Sequence, residues 1–323
     1  MKLTDIYWHL RSDISKIEKE LEATVDAKHP ILKKASSHLL KAGGKRIRPV
    51  FVLLAAKFGK YDIEKIKQVA VPLELIHMAS LVHDDVIDDA DLRRGKKTIK
   101  SKWDNRVAMY TGDYIFARAI EMTTNCNKPE VHQILSDAMV EMCIGEVEQI
   151  RDQYNWNQNF RIYLRRIKRK TALLIAVSCR LGALAADAPR DVQLSLYRYG
   201  YNVGMAFQIT DDILDFVATE KELGKPAGSD LHQGNVTLPA LYSMEHDEEL
   251  RSFIMKMIKG DKPDKKVMKE IIDKIKTSGG VDYSLEISDR YLNKAYKELE
   301  NLPDIPAKDS FYQIAQYIGK RKF

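Results

Sequence analysis

The chain is expected to be an all-α protein, a bundle of ten or more helices. Three observations carry that expectation. Apolar residues recur at three- and four-residue intervals along almost the whole chain, the period of a helix with one buried face. Pro and Gly cluster at the breaks between long segments, at His29-Pro30, Gly43-Gly44, Ala188-Pro189 and Ser278-Gly279-Gly280. Nowhere does a series of alternating apolar and polar runs announce strands. No fixed-period repeat or low-complexity linker marks a boundary, so residues 1–323 are expected to form a single domain.

The elements follow in order. Ile6, Leu10, Ile14, Ile17, Leu21 and Val25 make one apolar stripe, predicting an amphipathic helix over about 4–27. His29-Pro30 ends it, because the residue before a proline is pushed out of the helical region, and a short helix follows to Leu40. Ala42-Gly43-Gly44-Lys45-Arg46-Ile47-Arg48-Pro49 is a basic turn opening an apolar helix from Val50 to Phe58. A long helix is expected from Ile63 to about Asp89, then a polar loop from Asp91 to Lys97. Helices over about 105–125, 130–153 and 157–186 come next, with Thr171 to Leu184 apolar enough to be buried. Ala188-Pro189 is a turn, and a helix over about 190–218 precedes a glycine-rich loop from Leu223 to Asp230. Amphipathic helices then continue to the end, interrupted at Lys262-Pro263, Ser278-Gly279-Gly280 and Leu302-Pro303.

Composition narrows the class. Charged residues make up 30% and hydrophobic ones 45%, a globular balance rather than a disordered or membrane-embedded one. The 52 basic and 46 acidic residues leave a net charge of +6, too modest an excess to single out nucleic acid as a partner. Cys126, Cys143 and Cys179 form no CxxC pair and are odd in number, so reduced thiols in the cytoplasm are expected. There is no signal-peptide pattern and no apolar run near the roughly 20 residues that span a bilayer. No transmembrane segment is expected, which leaves peripheral docking on a membrane open.

Two acidic stretches stand out. Asp84-Asp85 is followed by Asp88, and Asp211-Asp212 by Asp215, each inside an otherwise apolar helical segment. Positions four apart share a helix face, so Asp84 projects with Asp88 and Asp211 with Asp215. Like charges at that spacing repel, and divalent cations are the simplest compensation. Mg2+ takes oxygen ligands and is held by one or two carboxylates together with substrate phosphates. Neither stretch has the glycine-containing spacing of a calcium-binding EF-hand loop. Lys45, Arg46, Arg48, Arg93 and Arg94 bracket the first stretch. Carboxylates would repel nucleic acid there, whereas a metal-bridged diphosphate satisfies both signs. Lys170, next to the apolar stretch, is the member of the Arg165–Lys170 basic run expected to point inward.

These residues carry a resemblance. GGKRIRP, the first DDxxD with its trailing RRG, Lys170-Thr171, GMAFQITDDILDF and the Lys225…Asp230 loop resemble, in order, the trans-isoprenyl diphosphate synthases. HMASLVHDDVIDDADLRRG, IKSKWDNRVAMYTGDY, DLHQGNVTLPALY and YIGKRKF look most like the catalytic larger subunit of bacterial two-component members of that family. The resemblance implies an isoprenoid-synthase bundle around a central cavity, with Mg2+ as cofactor, several ions per site. It implies that Lys45, Arg48, His77 and Arg94 hold isopentenyl diphosphate. Arg93, Lys170, Thr171, Gln208 and Lys225 would hold the allylic diphosphate. Asp84, Asp88, Asp211 and Asp215 would serve the metals, with Asp85 and Asp212 supporting catalysis. The implied product is all-trans heptaprenyl diphosphate for a menaquinone side chain, made with a small non-catalytic partner subunit.

Short-chain members of the family place bulky aromatics one turn before the first aspartate. Here Ala79 and Ser80 are small, so the tail is expected to extend past them toward Ile76, one helical turn deeper. Three alternatives stay open. One is a homodimeric synthase of another chain length. A second is a class I terpene cyclase, although such enzymes lack the GGKRIRP turn. The third is a non-catalytic regulatory subunit, which would have no need for so many compensated charges.

Overall fold

Helix starts fall where short polar side chains satisfy the first backbone N–H groups, which have no partner within the helix. In the computed structural model, which describes residues 3–93, 95–219, 226–258 and 264–321, Asp62, Thr98, Asp104, Asn159 and Asp247 each accept such a bond from a backbone N–H two or three residues ahead. The chain forms two compact units, one of Met1–Met139, Val177–Tyr197 and Asn301–Gln313 and the other of Val140–Ala176, Arg198–Glu300 and Ile314–Phe323.

The first unit begins with α1 (Leu3–Val25), α2 (Pro30–Lys41), α3 (Ile47–Ala56) and α4 (Ile63–Ile87). A two-residue antiparallel ladder follows, β1 (Leu92–Arg93) against β2 (Lys96–Lys97), where a plain loop was expected. Then come α5 (Ile99–Lys102), α6 (Asn105–Thr123) and the start of α7 (Pro129–Asp152). α3 is buried from Pro49 to Ala56 and α4 from Val69 to Ile76, so both have core on all sides. Pro72 sits inside α4 and removes a helix hydrogen bond. In isolation that costs about 3 kcal/mol, and the all-round packing of α4 holds the helix together. A Cβ on Gly112 of α6 would lie 2.3 Å from Nε2 of His83, so a larger residue there would push the His83 ring of α4 aside.

The second unit contains the rest of α7, then α8 (Phe160–Ile167), a π-helical turn at Lys168–Ala172, and α9 (Leu173–Ala185). α10 (Arg190–Val217), α11 (Ser229–His232), α12 (Leu238–His246), α13 (Glu248–Met257) and α14 (Lys265–Thr277) follow. α15 (Gly280–Glu300) and α16 (Pro306–Lys320) end the chain; the segments of α9, α10 and α16 named above belong to the first unit. Met205, Ile209, Ile213 and Phe216, at helical spacing on α10, pack with Tyr163, Leu238, Leu241, Ile254 and Ile271 in this unit's core. The all-α class is as expected, and no helix among the described residues is long and apolar enough to cross a membrane.

Candidate active site

The first acidic motif caps α4. Asp84 and Asp85 lie in its last turn, and Asp88 is the C-cap at φ −79° and ψ 0°, its N–H donating to the Asp84 carbonyl at 2.8 Å. That bond keeps Asp88 one helical turn above Asp84. Asp84 is half-buried and Asp88 exposed, whereas Asp85 is buried and accepts from Nε of Arg93 at 2.7 Å. Burial raises the Asp85 carboxyl above the usual carboxylate range, and the Arg93 guanidinium opposes that rise. Asp89, in the left-handed region at φ 51°, turns the chain out of the helix and pairs with Lys100.

The basic turn lies in the same unit. Lys45 is exposed, and its carbonyl accepts from the Tyr7 hydroxyl at 2.6 Å. Arg48 is half-buried in the first turn of α3, where the helix dipole favours an anion. Arg46 points the other way, its Nη1 donating to Glu74 of α4 at 3.3 Å. Gly43, Arg46, Glu74, His77, Leu81 and Arg93 line one narrow cleft, so His77 and Arg93 meet the basic turn there. Ile76 and Ala79 are buried, and Ser80 is half-buried with its hydroxyl donating to the His77 carbonyl at 2.9 Å. Arg94 lies outside the described residues.

The second motif is built differently. Asp212 is only 3% exposed and accepts from the Tyr163 hydroxyl at 2.7 Å and from Gln208 Nε2 at 2.8 Å. Thr171 in turn donates to Oε1 of Gln208 at 2.5 Å, which fixes which way that amide points. Burial, with Asp230 adding to it, pushes the Asp212 carboxyl up to about 7 against the pull of those two donors. Asp215 is buried as well; its oxygens accept from the Ser229 hydroxyl at 3.0 Å and the Asp230 N–H at 3.1 Å. Asp211 is more open and pairs with Arg321 near the C-terminus at 2.8 Å. Lys170, expected to be the inward member of its basic run, is instead exposed and donates to Gln149 at 2.8 Å, while Arg166 of the same run is buried and donates to Gln158 at 2.7 Å. Lys225 lies outside the described residues.

Local structure explains where Lys170 and Thr171 sit. They occupy the π-helical turn, whose extra residue per turn shifts side-chain directions relative to a continuous α-helix. A Cβ on Gly204 of α10 would meet Cα of Ala172 at 2.6 Å, so glycine is what allows α10 to lie against this turn. Gly204→Ala is therefore expected to destabilise the protein by about 1–3 kcal/mol through overpacking. Urea unfolding reads that loss, and an unchanged midpoint would contradict the close approach.

Tyr163, Glu74 and the inward role of Arg46 were not among the sequence-derived site residues. Glu74 left a signal, a lone acid in the apolar run Val69 to Leu75, whereas Tyr163 left none.

Hard oxygen donors are what the acidic motifs offer. No group of three or more His, Cys, Asp or Glu side chains converges into a complete metal cage among the described residues. A Mg2+ site needs only one or two carboxylates when phosphate oxygens supply the rest. Asp84, Asp88 and the more open Asp211 fit that requirement.

A helical protein with two such acidic motifs and a basic turn at a helix start has the parts of a diphosphate-handling transferase. The chain belongs to the polyprenyl synthetase family, whose model matches residues 29–275. It is a prenyltransferase with that family's all-α fold. Over its full length it is 58% identical to heptaprenyl diphosphate synthase component 2 of Bacillus subtilis (strain 168), covering 92% of that protein. The crystal structure of heptaprenyl diphosphate synthase from Staphylococcus aureus matches with a TM-score of 0.92 at 42% identity, over 97% of this chain and 99% of that one. A polyprenyl synthase from Caulobacter crescentus CB15, complexed with calcium and isoprenyl diphosphate, matches at 0.93 and 30% identity, over 99% and 98% of the two chains.

Proposed function

We propose that this chain is the catalytic subunit of a two-component, Mg2+-dependent synthase. It extends farnesyl diphosphate, or a longer allylic diphosphate, with isopentenyl diphosphate to all-trans heptaprenyl diphosphate for a menaquinone side chain. The observation that carries this reading is the stacked Asp84–Asp88 pair at the end of α4, in the unit that also holds the cleft with His77 and Arg93. The 58% identity to a component 2 supports the product and the two-subunit organisation.

Asp84, Asp88 and Asp211 would hold Mg2+, which would supply Lewis-acid stabilisation of the charge developing on the leaving diphosphate. Arg93, Lys170, Thr171, Gln208 and Lys225 are assigned to the allylic diphosphate, where cationic groups would stabilise the charge that builds on its oxygens. Lys45, Arg48, His77 and Arg94 hold isopentenyl diphosphate so that its double bond attacks the allylic carbon as the C–O bond breaks. The proton lost in forming the new double bond goes to the released diphosphate. Asp85 and Asp212 act as oriented supports, fixed by Arg93 and by Gln208 with Tyr163. Asp215, placed with the metal group on its motif, serves by anchoring residues 228–230. The apolar wall at Ile76 and Ala79 keeps water from the allylic cation and receives the growing tail.

A small non-catalytic component I subunit completes the enzyme. Val140, Ile144, Val147 and Ile150 form an exposed apolar stripe on α7, the kind of surface a subunit would cover. Labelled isopentenyl diphosphate tests the reaction class. With farnesyl diphosphate and Mg2+, label is expected in longer all-trans diphosphates, and none should form with chelator present. A cyclised hydrocarbon without label would overturn the proposal in favour of a cyclase.

A further inference from the structure

The diphosphate-binding assignments give no task to the buried pair of Arg46 and Glu74. Glu74 is 4% exposed, in the all-round-buried part of α4, and lies one helical turn before His77. Its Oε1 takes Nη1 of Arg46 at 3.3 Å. Arg46 also donates to the Leu40 carbonyl at 3.5 Å and has Glu18 at 3.6 Å. Among the described residues no hydrogen bond reaches Oε2 of Glu74, although that residue lines the cleft with His77 and Arg93. Burying both charges strips them of water, and such a pair is weak evidence of stabilisation; fixing one geometry is the better-attested use.

The geometry at issue is the backbone of the basic turn. Arg46 is in the left-handed region, at φ 45° and ψ 40°, which a residue with a long side chain occupies only when its surroundings impose it. It is also the N-cap of α3, so its dihedrals set how Lys45 leaves the helix start and how Arg48 sits in the first turn. From the other side, the Tyr7 hydroxyl pins the Lys45 carbonyl.

We propose that the Arg46–Glu74 pair is the positioning device of the isopentenyl diphosphate cradle. Glu74, reaching from α4, holds Arg46 left-handed and so fixes the backbone from which Lys45 and Arg48 present their charges. Neither Glu74 nor Arg46 touches substrate. The proposal rests on the assignment of Lys45, Arg48 and His77 to isopentenyl diphosphate.

The test compares Lys45→Gln, Glu74→Gln and the double variant Arg46→Met/Glu74→Met. Two measurements are made: KM values in the assembled enzyme, and equilibrium binding of isopentenyl diphosphate in the absence of allylic substrate. Two methionines replace the pair by apolar chains of similar length, a change that keeps buried-pair proteins folded. The double variant should unfold near the wild-type midpoint and yet bind isopentenyl diphosphate at least tenfold more weakly. Its KM for the allylic diphosphate should stay within about twofold of wild type. Glu74→Gln, which can still accept a hydrogen bond from Arg46, should show a smaller loss in the same direction. Wild-type affinity in a folded double variant would overturn the proposal, as would an equal loss for both substrates. Wild-type affinity in Lys45→Gln would instead overturn the cradle assignment, so the two failures are distinguishable.

Discussion

Asp84→Ala is expected to lower turnover on the order of a thousandfold without unfolding the protein. Removing one preorganised electrostatic partner of a transition state typically costs a factor of about 10²–10³, and Asp84 is proposed to hold the Mg2+ that stabilises the leaving diphosphate. Stability should move little, and in the opposite direction. Asp84 and Asp88 are like charges one turn apart, held there by the 2.8 Å backbone bond. Relieving their repulsion without metal returns about 0.2–0.5 kcal/mol. Steady-state turnover with the partner subunit present, read beside a thermal unfolding curve without Mg2+, separates the two effects. Asp85→Ala should behave differently, because it takes away the buried carboxylate that holds Arg93. Full activity in Asp84→Ala would rescue the alternative of a non-catalytic regulatory subunit.

Ala79→Phe should shorten the main product by one or more isoprene units. Ala79 has no exposed surface, and a phenyl ring there projects into the wall along which the tail is proposed to extend. Ile76 lies about one turn further back, roughly 5 Å along the helix axis, so the ring closes the path before the tail reaches it. Overpacking is expected to cost about 1–3 kcal/mol, which a core of this size tolerates. Reversed-phase chromatography of the dephosphorylated products reads the outcome. A folded variant with unchanged product length would remove Ala79 from the tail path.

Helix order was legible because apolar periodicity is a property of each segment alone. α4, expected from Ile63 to about Asp89, runs to Ile87 even across Pro72. The π-helical turn at Lys168–Ala172 was not legible, since apolar spacing over 157–186 reads as one continuous helix, and the close approach of Gly204 to Ala172 joins residues far apart in the chain. The acidic motifs could be read as a pair, but not their inequality. Asp84 and Asp88 stand at an open helix end, whereas Asp212 and Asp215 are buried and already bonded to Tyr163, Gln208, Ser229 and Asp230. Burial depends on neighbours far along the chain, and spacing carries no record of it. The same holds for Arg46. It sits between Lys45 and Arg48 in one basic run, and only the position of Glu74 turns it inward.

The most direct measurement is product chain length from this chain with farnesyl diphosphate, labelled isopentenyl diphosphate and Mg2+, run with and without the small component I subunit. Strong elongation ending at the heptaprenyl product only when both subunits are present is the predicted result. Strong elongation by this chain alone would contradict the two-component assignment and point to a homodimeric synthase.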